Sequence, residues 1–155
     1  MGKINWCKRK DGGIRLVEPN TNLCDEYYRN SEESLKVLKS IAQTQSRVWL
    51  ATTKYYIEYF AVYSVFMKIG VKCEIHDCTI ELAKFLENES VFENGIAAVL
   101  ENDKDLRIDN QYYLKNRPVN IDFNQLSGFL LAIRRALDNL SSAKIEDIRK
   151  KIAAI

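Results

Sequence analysis

The segment "DLRIDNQYY", residues 105–113, places an arginine and a tyrosine five residues apart, with a second tyrosine beside the first. Arg107 can hold a phosphate bidentately, but arginine keeps its proton and cannot transfer it. Tyr112 and Tyr113 can bond to phosphate or stack on a base, whereas a tyrosine pKa near 10 makes a poor base at neutral pH. These residues predict a site that binds a phosphate or nucleotide more readily than a site that cleaves RNA. The competing interpretation is structural: Arg107 pairs with Glu101 or Asp109, and Tyr112 fills the core.

His76 is the single histidine of the chain, and histidine is the side chain whose ordinary pKa lies near neutrality. It therefore joins Arg107 and Tyr112 as a candidate for catalysis, as an acid–base group or a phosphate contact. The alternative is that His76 supports the first turn of a helix. The segment "CEIHDC" places it between Cys73 and Cys78, but the Cys-x-x-Cys spacing of zinc sites is missing. We expect no metal, no cofactor, and four cysteine thiols.

Other sequence patterns point to structure rather than chemistry. The segment "DGG" lacks the Gly-Lys-Ser/Thr of a phosphate-binding loop, and no Gly-x-Ser-x-Gly motif occurs. The tyrosines between Tyr55 and Tyr63 could stack on bases, but their spacing on an apolar helix favours core positions, with hydroxyls bonded across helices. A set of basic residues towards the C-terminus predicts a solvated face, with RNA binding as the alternative. They are Arg134, Arg135, Arg149, Lys150 and Lys151.

The bulk composition predicts one domain over residues 1–155. The chain is 46% hydrophobic and 28% charged, and its formal net charge of +2 neither demands nor excludes nucleic acid. Six glycines and two prolines favour long helices over many short strands. The most apolar stretch, residues 48–70, contains Lys54, Glu58 and Lys68, which a membrane span tolerates poorly. We expect no membrane segment and, without a secretory signal, a cytoplasmic location.

Apolar periodicity predicts an all-α, up-and-down bundle of about five helices behind an irregular N-terminal arm, residues 1–18. A turn at Asp11–Gly13 leaves two alternatives open for this segment, a small hairpin or an arm without strand pairing. Helical segments are predicted at residues 22–43, 46–69, 76–88, 103–115, 120–140 and 143–155. The second is apolar nearly all round and should lie at the centre, with Gly70 ending it and Asp77 capping the third. Residues 88–104 stay open between a short helix and a loop.

The order of these segments resembles the HEPN domain (higher eukaryotes and prokaryotes nucleotide-binding). A Tyr55–Tyr56 pair lies in the second helix, a "KIGVKCEIH" turn follows it, and an "LR" followed by a tyrosine opens the fourth helical segment. The N-terminal "WCKRKDGGIRLVEPNTNL" resembles the leader of a small, stand-alone archaeal branch. The resemblance extends over nearly the whole chain and rests on the order and spacing of these motifs.

The resemblance implies a bundle of about five helices that pairs as a homodimer. Family members include RNA-cutting toxins, companions of minimal nucleotidyltransferases, and proteins with no assigned activity. The nuclease members carry Arg-x4–6-His with a polar residue after the arginine, and two such motifs face each other across the dimer. Here Arg107 matches the arginine, but Ile108 takes the polar position and Tyr112 replaces the histidine. His76 belongs to a different junction and is not carried over as the catalytic histidine.

Three functions remain open at this point. The first, which we favour, is a non-catalytic nucleotide- or RNA-binding or interaction module contacted through Arg107, Tyr112 and Tyr113. Its partner would be a minimal nucleotidyltransferase in a toxin–antitoxin-like pair. The second is a metal-independent ribonuclease that combines Arg107 with Tyr112 or His76, and the third is a structural dimer without a ligand. We expect Arg107 and Tyr112 near a groove close to the dimer axis, and no efficient RNA cleavage.

Overall fold

The architecture is a helical bundle with one short ladder of strands. In the computed structural model, which describes residues 2–155, the helices are α1 Lys3–Arg9, α2 Thr21–Ile41, α3 Arg47–Ile69, α4 His76–Asn88, α5 Ile96–Gln111, α6 Phe123–Asn139 and α7 Ser142–Ala153. The strands are β1 Arg15–Leu16 and β2 Val71–Lys72. The all-α prediction is confirmed, with seven helices in the described residues instead of about five.

Helix α3 occupies the centre of the bundle, as its sequence predicts. The Ser46 side chain caps its start by accepting from the backbone N–H of Trp49. Residues 61–67 are all buried, because α2, α5, α6 and α7 pack around the helix. A helix that is apolar on every face needs such neighbours. The site described below lies on the side of α3 that faces α5.

The carboxyl end of α3 is held by a glycine and an arginine. Gly70 caps the helix in the left-handed region, at φ 83°, which glycine adopts without strain. Arg149 Nη1 donates to the carbonyl oxygens of Val17, Ile69 and Gly70 at 2.7, 3.1 and 2.7 Å. A cation at a helix C-terminus is also favoured by the helix dipole. The predicted stop at Gly70 is therefore confirmed, and α7 helps to fix it.

The N-terminal segment differs from the predicted irregular arm over residues 1–18. Residues 3–9 form α1, whose inner face contains Ile4, packed against the core, and the fully buried Cys7. The turn at Asp11–Gly13 makes no hairpin. Instead, β1 pairs antiparallel with β2, which follows α3 in the chain. Both alternatives, the hairpin and the unpaired arm, were wrong because local turn signals say nothing about a distant strand partner.

Two of the four cysteines form a disulfide, so the prediction of four thiols was wrong. Cys7 of α1 is bonded to Cys78 of α4 across a sequence separation of 71 residues. Cys24 and Cys73 are buried free thiols. Spacing along the sequence could not show that α1 docks on α4, and docking is what brings the two sulfur atoms together.

Two helix starts use caps that the sequence does not suggest. The N-cap of α4 is Ile75, which makes no side-chain capping bond, so Asp77 is not the cap. Asp77 lies in the first turn and binds Lys104 of α5. Helix α5 starts at Ile96, seven residues before the predicted 103, and the carboxylate of Glu87 in α4 accepts from the backbone N–H of Ala97 at 2.7 Å. Part of the undecided stretch 88–104 is therefore helical.

Helices α2 and α7 begin within one residue of their predicted starts, and α6 begins at Phe123, three residues after the predicted 120. The Asp122 side chain caps α6 by accepting from two backbone N–H groups, and Ser141 caps α7. The buried apolar side chains of the described residues form one cluster. Within residues 2–155, no helix combines the length and apolar character that crossing a bilayer requires.

Candidate functional site

Arg107 lies inside the interface between α5 and α3. Its side chain is directed at two tyrosines of α3, with Cζ 4.9 Å from the ring centroid of Tyr55 and 5.4 Å from that of Tyr56. Nη1 donates to the Tyr56 hydroxyl at 3.3 Å. The residue is only 6% exposed, and its buried Nε has no hydrogen-bond partner. The guanidinium is therefore held by aromatic rings and by one long hydrogen bond.

Within residues 2–155, no carboxylate lies within the ion-pair distance of 4.0 Å from Arg107. Glu101 binds Lys84, and Asp109 binds Lys115 and Arg117. The structural interpretation, in which Glu101 or Asp109 pairs with Arg107, was wrong. A buried charge without a partner is costly, so this arginine has the character of a site residue.

Tyr112 and Tyr113 lie just beyond the end of α5. Tyr112 is the C-cap residue and is 64% exposed, so it does not fill the core. Its ring centroid lies 5.9 Å from Arg107 Cζ. A separation of five residues would place the pair about 140° apart on a continuing helix, but the helix ends at Gln111. Tyr113 is also exposed, and its ring lies beside Lys115 rather than Arg107.

His76 is the first residue of α4, and it lies next to the same tyrosine that Arg107 contacts. Its Nδ1 is 2.6 Å from the Tyr55 hydroxyl. Its ring also packs against Tyr59, with centroids 5.1 Å apart. Burial lowers the pKa of His76, and the positive charges of Arg107 and Lys104 lower it further. The imidazole is therefore kept neutral at pH 7, on the same side of the bundle as Arg107.

The hydrogen bond between Tyr55 and His76 determines which ring nitrogen carries the proton. Tyr55 is fully buried, and burial raises its pKa, so the hydroxyl keeps its proton. Within residues 2–155, this hydroxyl has one hydrogen-bond partner, Nδ1 of His76. A buried O–H needs an acceptor, so Tyr55 donates to Nδ1. The proton of the neutral imidazole then lies on Nε2, which makes that atom a donor.

A buried polar cluster lies one helical turn from Arg107. Lys54 of α3 contacts the carboxylates of Glu58, at 3.3 Å, and of Asp103 on α5. Burial and the neighbouring Asp103 carboxyl raise the pKa of Glu58 well above its usual range. The raised pKa favours the protonated form of Glu58, and Lys54 with Asp103 forms an ion pair inside the cluster. Within residues 2–155, neither carboxylate of this cluster lies within ion-pair distance of Arg107.

The α3 tyrosines were assigned to the core from sequence, and the structure gives two of them a second role. The Tyr55 hydroxyl bonds across helices, to His76 of α4 at 2.6 Å, as predicted. Tyr63 donates instead to the carbonyl oxygen of Cys73, between β2 and α4, at 2.8 Å. Tyr55 and Tyr56 also form the aromatic wall of the Arg107 site. The adjacent tyrosine pair was the available signal, but its contacts with α4 and α5 depend on packing.

A surface depression adjoins the end of α5 without including the arginine. It encloses 310 Å³ and is lined by Arg47, Val48, Asn110, Leu114 and Asn116. Arg107 and Tyr112 are not among these lining residues. Within residues 2–155, no group of three or more histidine, cysteine, aspartate or glutamate side chains is arranged to hold a metal ion.

The basic residues of α6 and α7 are mostly engaged with other groups. Arg135 binds Glu93 through two hydrogen bonds of 2.7 and 3.1 Å. Lys150 and Lys151 pair with acids, Arg134 lies 4.0 Å above the Tyr28 ring, and Arg149 binds backbone carbonyls. These contacts favour the solvated-face interpretation over an RNA-binding patch at this end of the chain.

The fold and this site define a small helical-bundle protein with a buried arginine in a tyrosine-lined interface. The scan of protein-family models gives no match to the chain, and neither the curated proteins nor the solved structures give a significant match.

Proposed function

We propose that this protein binds a nucleotide or RNA, holds one phosphate at Arg107, and does not cut RNA efficiently. The observation that carries the proposal is the buried guanidinium with no acidic partner and with an unpaired Nε. A phosphate would supply the missing negative charge together with acceptor oxygens in the planar geometry that guanidinium matches. Such a ligand would relieve the cost of the buried charge.

In this proposal the ligand reaches Arg107 past the ring of Tyr112. This ring lies over Arg107, yet it is exposed and belongs to the residue at which α5 ends. Within residues 2–155 the Tyr112 side chain makes no hydrogen bond, so its ring can turn outward without breaking one. Once displaced, an exposed tyrosine can stack on a base. This arrangement supports a ligand that carries both a phosphate and a base.

The protonation of His76 supports binding over cleavage. RNA cleavage needs a base to take the 2′-hydroxyl proton and an acid to protonate the leaving oxygen. With Tyr55 donating to Nδ1, His76 presents Nε2–H, which can donate to a phosphate oxygen but cannot accept a proton. Tyrosine in general is a poor base at neutral pH, so Tyr112 does not replace it. His76 therefore fits the role of a second phosphate contact beside Arg107.

Membership of the HEPN family stays a prediction. If the chain is a member, we expect it to form a homodimer and to act with a minimal nucleotidyltransferase in a toxin–antitoxin-like pair. Exposed apolar side chains at the amino end of α3 and after α5 support the existence of a partner surface, because Trp49 is 61% and Leu114 74% exposed. Sedimentation should then give about twice 18.0 kDa. A cytoplasmic location also stays a prediction.

The test compares ligand binding and RNA cleavage in matched variants. Arg107→Met removes the charge at similar volume, and Arg134→Met is the control because Arg134 also lies on a tyrosine ring but is exposed. We expect fluorescence anisotropy to show that Arg107→Met alone abolishes binding of labelled nucleotide or RNA. Equal binding by both variants would contradict the proposal.

Single-turnover cleavage of a structured RNA separates the remaining functions. We expect little cleavage by the wild type and a gain only in Tyr112→His, which restores a group that can transfer protons. Robust wild-type cleavage that disappears in Arg107→Ala would instead support the ribonuclease. If neither binding nor cleavage is observed, the third function, a structural dimer without a ligand, is favoured.

A further inference from the structure

Helix α1 carries a group of positive charges that the fold does not use. Residues 2–10 contain Lys3, Lys8, Arg9 and Lys10 and no acidic residue. Within the described residues, none of these four takes part in an ion pair within 4.0 Å or in a side-chain hydrogen bond. The basic residues of α6 and α7, by contrast, are engaged with acids, a ring or carbonyls. Within residues 2–155, cations without such a partner are therefore concentrated in residues 3–10.

One side of α1 combines charge with an aromatic ring. Lys3 and Trp6 are three residues apart on α1, which places them on one side of the helix, and Lys10 is the C-cap residue that follows it. Lys10 Nζ lies 5.8 Å from the centre of the Trp6 ring, and Trp6 is 44% exposed. Trp6, Arg9 and Lys10 line a shallow depression of 220 Å³. An aromatic ring flanked by cations is what a single-stranded nucleic acid binds, through base stacking and phosphate contacts.

The surface of α1 is adjacent to the Arg107 site. The disulfide from Cys7 fixes α1 to α4, the helix that begins with His76. Asp77, in the first turn of the same helix, binds Lys104, which lies one turn before Arg107 on α5. The end of α4 to which α1 is bonded is therefore also joined to the α5 segment that precedes Arg107.

Arg107 and the cations of residues 3–10 belong to different elements, and α1 alone is about 10 Å long. A ligand that contacts both is therefore longer than a single nucleotide. We propose that α1 is an RNA-contacting element, on which Lys3, Trp6 and Lys10 bind the nucleotides that flank the phosphate at Arg107. This inference rests on the proposed function and narrows its ligand to a single-stranded RNA of several nucleotides.

A membrane surface is the other partner that a basic helix could suit. Interfacial helices insert an apolar face into the lipid. On α1 that face is already occupied, because Cys7 is fully buried and Ile4 packs against the core. RNA needs only the outward charges and the Trp6 ring, which are the features that remain available.

The experiment measures binding of two labelled probes, a single-stranded oligouridylate of about 12 nucleotides and uridine monophosphate. The α1 variant combines Trp6→Leu with Lys10→Gln, and Lys10→Gln alone guards against misfolding. Lys36→Gln is the control, because Lys36 is exposed on α2, which packs mainly on α3. Circular dichroism confirms that each variant folds.

We expect the double variant to bind the oligonucleotide at least about 10-fold more weakly, with a shallower salt dependence. Binding of the mononucleotide should be unchanged, and Lys36→Gln should match the wild type. Unchanged oligonucleotide affinity in the double variant, with loss in Arg107→Met, overturns the α1 inference and leaves the proposed function standing. Loss in the double variant without any loss in Arg107→Met overturns the proposed function instead. Binding to anionic phospholipid vesicles that depends on α1, without RNA binding, also overturns the inference.

Discussion

Replacing Arg107 by methionine should leave the fold as stable as the wild type or make it more stable. The guanidinium is 6% exposed, and its Nε has no partner. An unsatisfied buried donor costs about 1–3 kcal/mol. Methionine has a similar length, carries no donor, and adds about 1.5–3 kcal/mol of apolar burial of its own when fully enclosed. Both effects favour the variant.

The interactions that Arg107→Met removes are of comparable size. The contacts with the Tyr55 and Tyr56 rings contribute about 0.5–2 kcal/mol each. The hydrogen bond to the Tyr56 hydroxyl, at 3.3 Å, contributes about 0.5 kcal/mol because it is long. The opposing terms nearly cancel, so we expect a change in the free energy of unfolding between about 0 and 2 kcal/mol in favour of the variant.

Urea unfolding followed by far-ultraviolet circular dichroism measures this difference. The control, Arg134→Met, should lose up to about 1 kcal/mol, because the exposed Arg134 side chain gives up only its contact with the Tyr28 ring. A loss above about 3 kcal/mol in Arg107→Met, the size found when a buried ion pair is broken, would refute the reasoning. Arg107 would then be a structural residue with a partner in the folded chain.

Three further outcomes are expected from the structure. Nuclear magnetic resonance of the single imidazole should give His76 a pKa below its ordinary 6.5, and Arg107→Met should raise that pKa by removing a repelling charge. Since the folded-state pKa is lowered, the stability from neutral His76 is complete above pH 6.5 and is lost as the pH falls through the lowered value, which unfolding at several pH values tests. Gly70→Ala should destabilise the fold by more than about 2 kcal/mol, because the new Cβ would lie 2.6 Å from the Val17 carbonyl oxygen at φ 83°. Gly128→Ala, with nothing within 4 Å of the new Cβ, should stabilise it by up to about 1 kcal/mol. Thermal melts in which both variants shift the melting temperature in the same direction would contradict this. Thiol titration of the denatured protein should find two free thiols of the four cysteines, and Cys7→Ala should lower the unfolding free energy by about 2–4 kcal/mol.

The central helices could be predicted because their signals are local. The apolar run of α3 required a buried position, and Ser46 and Gly70 marked its two ends within one residue. The start of α5 could not be predicted in the same way. It follows Gly95, and its capping carboxylate comes from Glu87 of the preceding helix. A cap supplied by another element leaves no pattern near the helix that it stabilises.

The candidate site was predictable in its residue types but not in its arrangement. Arg107, Tyr112 and His76 were chosen for what their side chains can do. The structure brings Arg107 and His76 to Tyr55 and places the Tyr112 ring beside Arg107. Tyr55 itself was assigned to the core, where it does lie. Its role as the link between α4 and α5 depends on how three helices pack, which residue spacing does not encode. The groove expected at Arg107 lies further along, past the end of α5.

The bond between Cys7 and Cys78 also affects how a ligand would meet α1. A seven-residue helix is too short to persist in water without support. Tied to α4, α1 can open only together with the first turn of that helix, so amide hydrogen exchange should show both as one cooperative unit. The order of α1 is then established during folding. An incoming strand meets a preorganised surface, and its affinity is not reduced by the entropy of forming one.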